Sequence, residues 1–154
     1  MDYLTIKTVH ILSSVFLVGT GFGTAFYLFF ANRSKSVEAI AVVSKLVVRA
    51  DWWFTTPAGI IQPLSGAWLI HAAGFPPDAL WIRASLALYV LAGVCWLPVV
   101  WYQLKMAKLA VAAHAAGQAL PPLYWRYAKR WELLGYPAFA AMAIIYYLMV
   151  TKPV

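Results

Sequence analysis

Residues 3–31, YLTIKTVHILSSVFLVGTGFGTAFYLFFA, decide the fold of this chain, because the stretch carries a single charged residue, Lys7. At a rise of about 1.5 Å per residue, a helix of this length crosses the roughly 30 Å of hydrocarbon in a bilayer. Only helices and closed barrels satisfy the backbone in hydrocarbon, and a barrel strand would alternate apolar with polar residues. The stretch shows no such alternation, so we predict a transmembrane helix.

Three further apolar stretches follow, at residues 52–74, 80–104 and 133–150. The chain has 154 residues, of which 64% are hydrophobic and 11% charged, and this composition is typical of a multi-pass membrane protein rather than a soluble domain. The apolar stretches occupy most of its length, and no internal repeat or second domain is visible. We therefore predict an all-α fold, with residues 1–154 forming one four-helix transmembrane bundle.

The basic residues predict the orientation of this bundle. Cytoplasmic connections of membrane proteins are enriched in Lys and Arg. The basic residues of this chain cluster in the connections after the first and the third apolar stretch, so we expect these connections in the cytoplasm and both termini outside. The connecting segments 37–49 and 105–118 have helical patterns and predict helical cytoplasmic extensions. The net charge of +7 then reflects topology, and no nucleic-acid partner is expected. The basic residues in the two cytoplasmic connections are Arg33, Lys35, Lys45 and Arg49 in the first, and Lys105, Lys108, Arg126, Lys129 and Arg130 in the second.

Two histidines, His10 and His71, lie inside apolar stretches, where an ionisable side chain is costly and usually has a function. Counting residues from the helix ends places both in the outer leaflet, at depths that differ by a few Å. Two imidazoles on adjacent helices can supply both axial ligands of a haem, so we predict haem b with His10 and His71 as metal ligands. One histidine with Met142 or Met149 opposite is an alternative. Another is that both histidines are interfacial or bond to neighbouring helices.

Three further residues complete the predicted cofactor site. Ser14 and Gly21 share a stripe of small and hydroxylated residues with His10 on the first helix, which permits close approach of a flat ligand. Arg83, at the outer end of the third helix, is expected to pair with a haem propionate.

Other residues predict helix contacts. Gln62 falls on the face of the second helix opposite His71, where we expect an interhelical hydrogen bond. Gly19 and Gly23 form a GxxxG pair, which favours close helix packing within the chain or across a homodimer.

Five runs of sequence carry a resemblance to a known family: IKTVHILSS at 6–14, GTGFGTAFY at 19–27, DWWFTTP at 51–57, QPLSG at 62–66 and WLPVVW at 96–101. With these runs the chain resembles the bacterial integral membrane proteins grouped as family 2269 of domains of unknown function (DUF2269). The resemblance covers nearly the whole chain. It implies a multi-pass protein of the bacterial inner membrane, and the family name carries no activity.

A more distant resemblance concerns the run KTVHI at 7–11, which is similar to the opening of HemJ-type protoporphyrinogen oxidases and CopD-like proteins. It implies haem b bound through His10. The His and Lys that HemJ-type chains have in their third span are missing here, where Arg83, Ser85, Cys95 and Trp96 stand. This difference favours haem binding over protoporphyrinogen oxidation.

The sequence thus leads to three hypotheses of function. The first is a haem b protein in electron transfer or membrane redox chemistry, in contact with membrane lipid and exchanging electrons with quinone or a periplasmic carrier. Whether it is a haem-dependent membrane oxidoreductase stays open. The second is a transport protein for copper or a small solute, and the third is a non-catalytic membrane subunit.

Overall fold

The structure, a computed structural model, describes residues 2–153, in which helices joined by short connections are the regular secondary structure and no strand occurs. This confirms the predicted all-α class. In chain order the elements are α1 (Tyr3–Ser34), α2 (Val37–Ala50), a π-helical turn (Asp51–Thr55), α3 (Thr56–Ala72), α4 (Leu80–Ala115) and α5 (Pro122–Thr151).

The helical extensions predicted outside the apolar stretches are present. Segment 37–49 forms α2, and the segment after residue 104 prolongs α4 to Ala115. Lys35 adopts the left-handed conformation, with φ of 59°, and ends α1. The Ser36 hydroxyl then accepts the backbone N–H of Ala39 at 3.2 Å and caps α2. Gly117, with φ of 62°, makes the corresponding turn after α4.

Three helices, α1, α4 and α5, are long and apolar enough to cross a membrane. The fourth predicted stretch, residues 52–74, begins with the π-helical turn, and only the 17 residues of α3 are α-helical. At about 1.5 Å per residue α3 alone covers about 26 Å, which is slightly less than the hydrocarbon thickness. The π-helical turn continues into α3 without a break, and the two together cover residues 51–72.

The most completely buried side chains lie at one end of the molecule. Leu28, Ile40, Met106 and Tyr124 have no exposed surface, and they come from α1, α2, α4 and α5 respectively. We call these four residues and their neighbours the α2 core. Beyond it, α4 runs along α5 and α1 runs along α3, whereas α3 makes no close backbone contact with α4 or α5 within residues 2–153. In the apolar half of the bundle α3 therefore stands apart from α4 and α5, while α1 still contacts α5 through Phe22 and Phe139.

Candidate functional site

A cavity of about 800 Å³ lies between the helix pair α1 and α3 and the helix pair α4 and α5. Tyr89 of α4 bridges the space, because its hydroxyl donates to the carbonyl oxygen of Gly59 in α3 at 2.5 Å. Glycines help to keep the cavity open: a Cβ added to Gly21, Gly93 or Gly135, which all line it, would meet no atom within 4 Å. The volume falls in the range of about 300–1,000 Å³ that is usual for small-molecule sites.

The lining of the cavity is almost entirely apolar, and its charged residues are of one sign. Two acids, Asp51 and Glu132, line it, and no Lys, Arg or His does so among the described residues. The Glu132 carboxylate accepts the Tyr136 hydroxyl at 2.6 Å. The apolar lining includes Leu17, Val18, Phe22, Phe26, Phe29, Phe30, Ile60, Ala92, Trp96, Leu97, Val99, Phe139 and Met142.

Asp51 is the buried acid of this lining, with 5% of its surface exposed. It is the first residue of the π-helical turn, and its Oδ1 atom accepts the Thr55 hydroxyl at 2.9 Å. The Gln103 side chain of α4 lies beside the same carboxyl group. Oδ2 of Asp51 has no hydrogen-bond partner, and the same holds for Oε1 of Gln103.

Trp131 of α5 adds a third buried polar atom without a partner, the indole Nε1, and it lines the same cavity. The ring centroids of Tyr102 and Tyr127 lie 5.4 Å apart, which fixes the register between α4 and α5. Gln103 follows Tyr102, and Trp131 lies one turn, about 6 Å, from Tyr127. Gln103 and Trp131 are therefore at the same end of the cavity as Asp51. We call these three residues the Asp51 cluster.

The unpartnered atoms of the Asp51 cluster destabilise the folded protein. A buried polar atom without a partner costs about 1–3 kcal/mol, and a buried charge costs more. Most buried polar groups in proteins are paired, and these three atoms, from the π-helical turn, α4 and α5, are among the five buried side-chain atoms without a partner in the described residues.

A second polar group lies between α1 and α3 and is bonded within itself. Nδ1 of His10 lies 2.8 Å from the Ser65 hydroxyl oxygen, and Nε2 of His10 lies 3.2 Å from the Gln62 amide nitrogen. The Ser13 hydroxyl donates to Oε1 of Gln62. The interhelical hydrogen bond predicted for Gln62 is thus confirmed. We call these four residues the His10 network.

The bonding pattern of the His10 network fits a neutral imidazole. Because the Ser65 hydroxyl donates to the carbonyl oxygen of Ile61 at 2.7 Å, its oxygen is left to accept the Nδ1–H of His10. Nε2 of His10 then accepts a proton from the Gln62 amide. Gly66 permits this approach, since a Cβ there would stand 3.2 Å from Cε1 of His10.

The structure does not bring His71 to His10. His71 follows Gln62 by nine positions on α3, which corresponds to about 180° of rotation and about 14 Å along the axis. His71 is exposed. His10 lies level with Gln62, which is on the opposite face of α3 from His71 and closer to the middle of that helix. The small difference in depth expected from residue counting is therefore not observed, because His10 packs beside the middle of α3 rather than its outer end.

The other predicted site residues are scattered. The Ser14 hydroxyl donates to the Ile11 carbonyl oxygen of its own helix, at 2.7 Å, and Arg83 is exposed near the start of α4. Gly21 is the one residue of the predicted cofactor site that lines the cavity. Gly19 has open space around it, and the homodimer stays a prediction.

In this arrangement the residues do not fit a haem held by both imidazoles, because protein groups occupy both ring nitrogens of His10 and His71 lies on the other side of α3. Within residues 2–153 no group of three or more His, Cys, Asp or Glu side chains is placed to hold a metal ion. Haem b stays a prediction that rests on the sequence.

Sequence reasoning missed the Asp51 cluster. Asp51 stands at the edge of an apolar stretch next to Arg49, a position typical of an acid at a helix N-terminus or in an ion pair. The available signal was its position directly before Trp52 and Trp53, inside a run of apolar residues.

Comparison with known proteins assigns the family. No curated protein and no solved structure matches the chain. The family model described as a predicted integral membrane protein, DUF2269, matches residues 4–153. The chain therefore belongs to the DUF2269 family of integral membrane proteins.

Proposed function

We propose that this protein is a four-span protein of the bacterial inner membrane that binds a lipid-soluble small molecule in the cavity between its spans. The observation that carries the proposal is the cavity of about 800 Å³ with three unpartnered polar atoms at one end. Small-molecule sites commonly combine an apolar lining with a few convergent polar groups.

The four-span arrangement rests on the continuity of the π-helical turn with α3, which together cover residues 51–72. Successive spans then alternate in direction, so both termini lie on the side opposite the α2 core. The basic connections lie on the side of the α2 core, which places that side in the cytoplasm. A reporter at the C-terminus that is active only outside the cytoplasm is expected to give signal, and one that is active only inside is not.

The apolar part of the cavity needs an occupant. Ile60 and Leu97 line it and remain more than half exposed. In a membrane an acyl chain or a ligand tail fills such space. An acyl chain satisfies the apolar wall but leaves the Asp51 cluster without partners, so a molecule with a polar head and an apolar tail fits better.

Binding can be tested with a neutral alkyl alcohol that carries a photoreactive diazirine in its tail, added to the purified protein in nanodiscs of zwitterionic lipid. We expect cross-links on peptides from the cavity wall, around Gly93 and Met142. Gly93→Phe should fill the cavity and reduce these cross-links, since its Cβ enters open space.

The matched control is Gly19→Phe. Gly19 also has open space around its Cβ but does not line the cavity, so this variant should cross-link like the wild type. Cross-links spread evenly over the lipid-facing surface, and unchanged in Gly93→Phe, would show that the cavity holds only bulk lipid.

A further inference from the structure

We infer that the occupant of the cavity is an amphiphilic amine, whose ammonium group binds the Asp51 cluster while its alkyl or aryl part fills the apolar cavity. This inference rests on the proposed function and names the chemical class of its ligand.

The charge of the cavity wall is the first reason. The whole chain carries a net charge of +7, with 12 basic residues against 5 acidic ones. The cavity reverses this balance, because Asp51 and Glu132 line it without any basic residue among the described ones. A lining of this sign attracts cations and repels carboxylates and phosphates.

The unpartnered atoms are the second reason. Oδ2 of Asp51 and Oε1 of Gln103 are both acceptors, and both residues are more than nine-tenths buried. An ammonium group has donors only, and it can serve both acceptors once the Asp51 and Gln103 side chains turn toward the cavity, because both oxygens are fully buried in this structure. It also compensates the carboxylate charge, which is otherwise buried without a partner of opposite sign.

Other head groups serve the cluster less well. A neutral carbonyl group would accept the Nε1–H of Trp131 but would leave both acceptor oxygens unpartnered. An anionic head would meet two carboxylates.

The preference can be measured by competition against the neutral photoreactive alcohol in nanodiscs of zwitterionic lipid. The competitors are octylamine, octanol and octanoate, each expressed per molecule bound to the membrane. For the wild type we expect octylamine to halve the cavity cross-links at a concentration about ten-fold lower than octanol, and octanoate to be the weakest.

Asp51→Asn keeps the shape of the side chain and an acceptor for Thr55 but removes the charge. In this variant the advantage of octylamine over octanol should fall to about two-fold or less, while octanol itself competes as in the wild type. Retained competition by octanol also reports that the variant is folded. Gln103→Leu, which removes the second acceptor, should lower the advantage in the same direction.

Glu38→Gln is the matched control, because Glu38 is exposed on α2 and does not line the cavity. It should keep most of the preference for octylamine. Equal competition by octylamine and octanol in the wild type would overturn the amine inference and leave cavity binding intact. A preference lost in Glu132→Gln but kept in Asp51→Asn would overturn the role of Asp51. Absence of cavity cross-links in the wild type would instead contradict the proposed function.

Discussion

The His10 network and the Asp51 cluster are both polar groups in the apolar half of one small bundle, and they differ in how their atoms are paired. In the His10 network each ring nitrogen of the imidazole has a partner, and the Gln62 amide is bonded through both its oxygen and its nitrogen. In the Asp51 cluster, three buried atoms have none. A fully paired network stabilises a helix contact, whereas an incompletely paired one is costly and is retained where it has another use.

The residue types and the pairing of the polar atoms point to different regions as the functional site. Histidines in apolar helices are the more conspicuous signal, and they predicted the functional site. The pairing pattern assigns His10 to the contact between α1 and α3 and leaves the Asp51 cluster as the site with free bonding capacity. In membrane proteins the unpaired atoms are therefore more informative than the identity of the polar residues.

The largest expected effect is on stability, from His10→Ala. The substitution removes a packed ring and leaves Ser65 and Gln62 without their partners, so the free energy of unfolding should fall by about 2–3 kcal/mol. Unfolding in mixed micelles, followed by circular dichroism, measures this. His71→Ala is the control and should change stability by less than about 0.5 kcal/mol, because His71 is exposed.

The same purified variants test the haem prediction. A haem b bound by both histidines would give a Soret band that disappears in His10→Ala and in His71→Ala alike and persists in His114→Ala, since His114 is exposed on the extension of α4. A stability loss confined to His10→Ala, with no Soret band in any of the proteins, would support the structural role of His10.

The second effect has the opposite sign. Without ligand, Asp51→Asn should raise the free energy of unfolding by about 1 kcal/mol, because it removes a buried charge that lacks a compensating partner. Glu132→Gln should leave stability nearly unchanged, since Glu132 is only half-buried and the amide oxygen of Gln can still accept the Tyr136 hydroxyl. A loss of stability in Asp51→Asn comparable to that of His10→Ala would remove the contrast between the two regions.

A smaller effect is expected from Gly66→Ala. The new methyl group would stand 3.2 Å from Cε1 of His10, and the ring is held by bonds at both nitrogens, so it cannot move away without lengthening them. We expect a loss of roughly 0.5–1 kcal/mol. Gly59→Ala meets its nearest atoms at 3.7 and 3.8 Å, an ordinary contact, and should be neutral or slightly stabilising in the same unfolding measurement.

The smallest effect near neutral pH concerns Tyr124 in the α2 core, a paired polar group outside the membrane. Its hydroxyl donates to Oδ1 of Asn32 at 2.6 Å, and burial raises the pKa of Tyr124 to about 12, against a smaller opposing effect of the Ser44 hydroxyl. Because the folded-state pKa lies above the unfolded value of about 10, the contribution of the neutral phenol is complete below about pH 10.

This contribution should be lost as the pH rises through 12. Unfolding measured from pH 8 upward should therefore show constant stability to about pH 10 and a decline beyond it that is weaker in Tyr124→Phe. Equal declines in the two proteins would assign the alkaline loss to other groups.

The sequence predicts the helices of this fold well, because length and apolar composition leave few alternatives in a membrane. Segment 37–49 and the extension of α4 were predicted from helical patterns and are confirmed. The π-helical turn was not predicted, since it lies at the start of an apolar stretch whose residues also suit an α-helix.

The candidate site was predicted only in part. Gln62 was placed correctly on a helix-contact face, because helical angles follow from spacing alone. The relative depth of His10 and His71 was not predicted correctly. It depends on the position of α1 along α3, which the spacing of residues within one helix does not determine. The cavity depends in turn on the separation of α3 from α4, which results from packing of the whole bundle.

The π-helical turn has a mechanical consequence. It holds one residue more than an α-helical turn, and each additional residue advances everything after it by about 100° and 1.5 Å. Ile40 of α2 is held in the α2 core. The π-helical turn between α2 and α3 therefore sets the angle at which Gln62 and Ser65 face α1. The first residue of this turn is Asp51. If the π-helical turn became α-helical, the Thr56 N–H would no longer bond to the Asp51 carbonyl oxygen. α3 would then rotate about its axis, which would move Gln62 and Ser65 away from His10. Asp51, which lines the cavity, and the residues that pair with His10 are thus connected through the five residues of this turn.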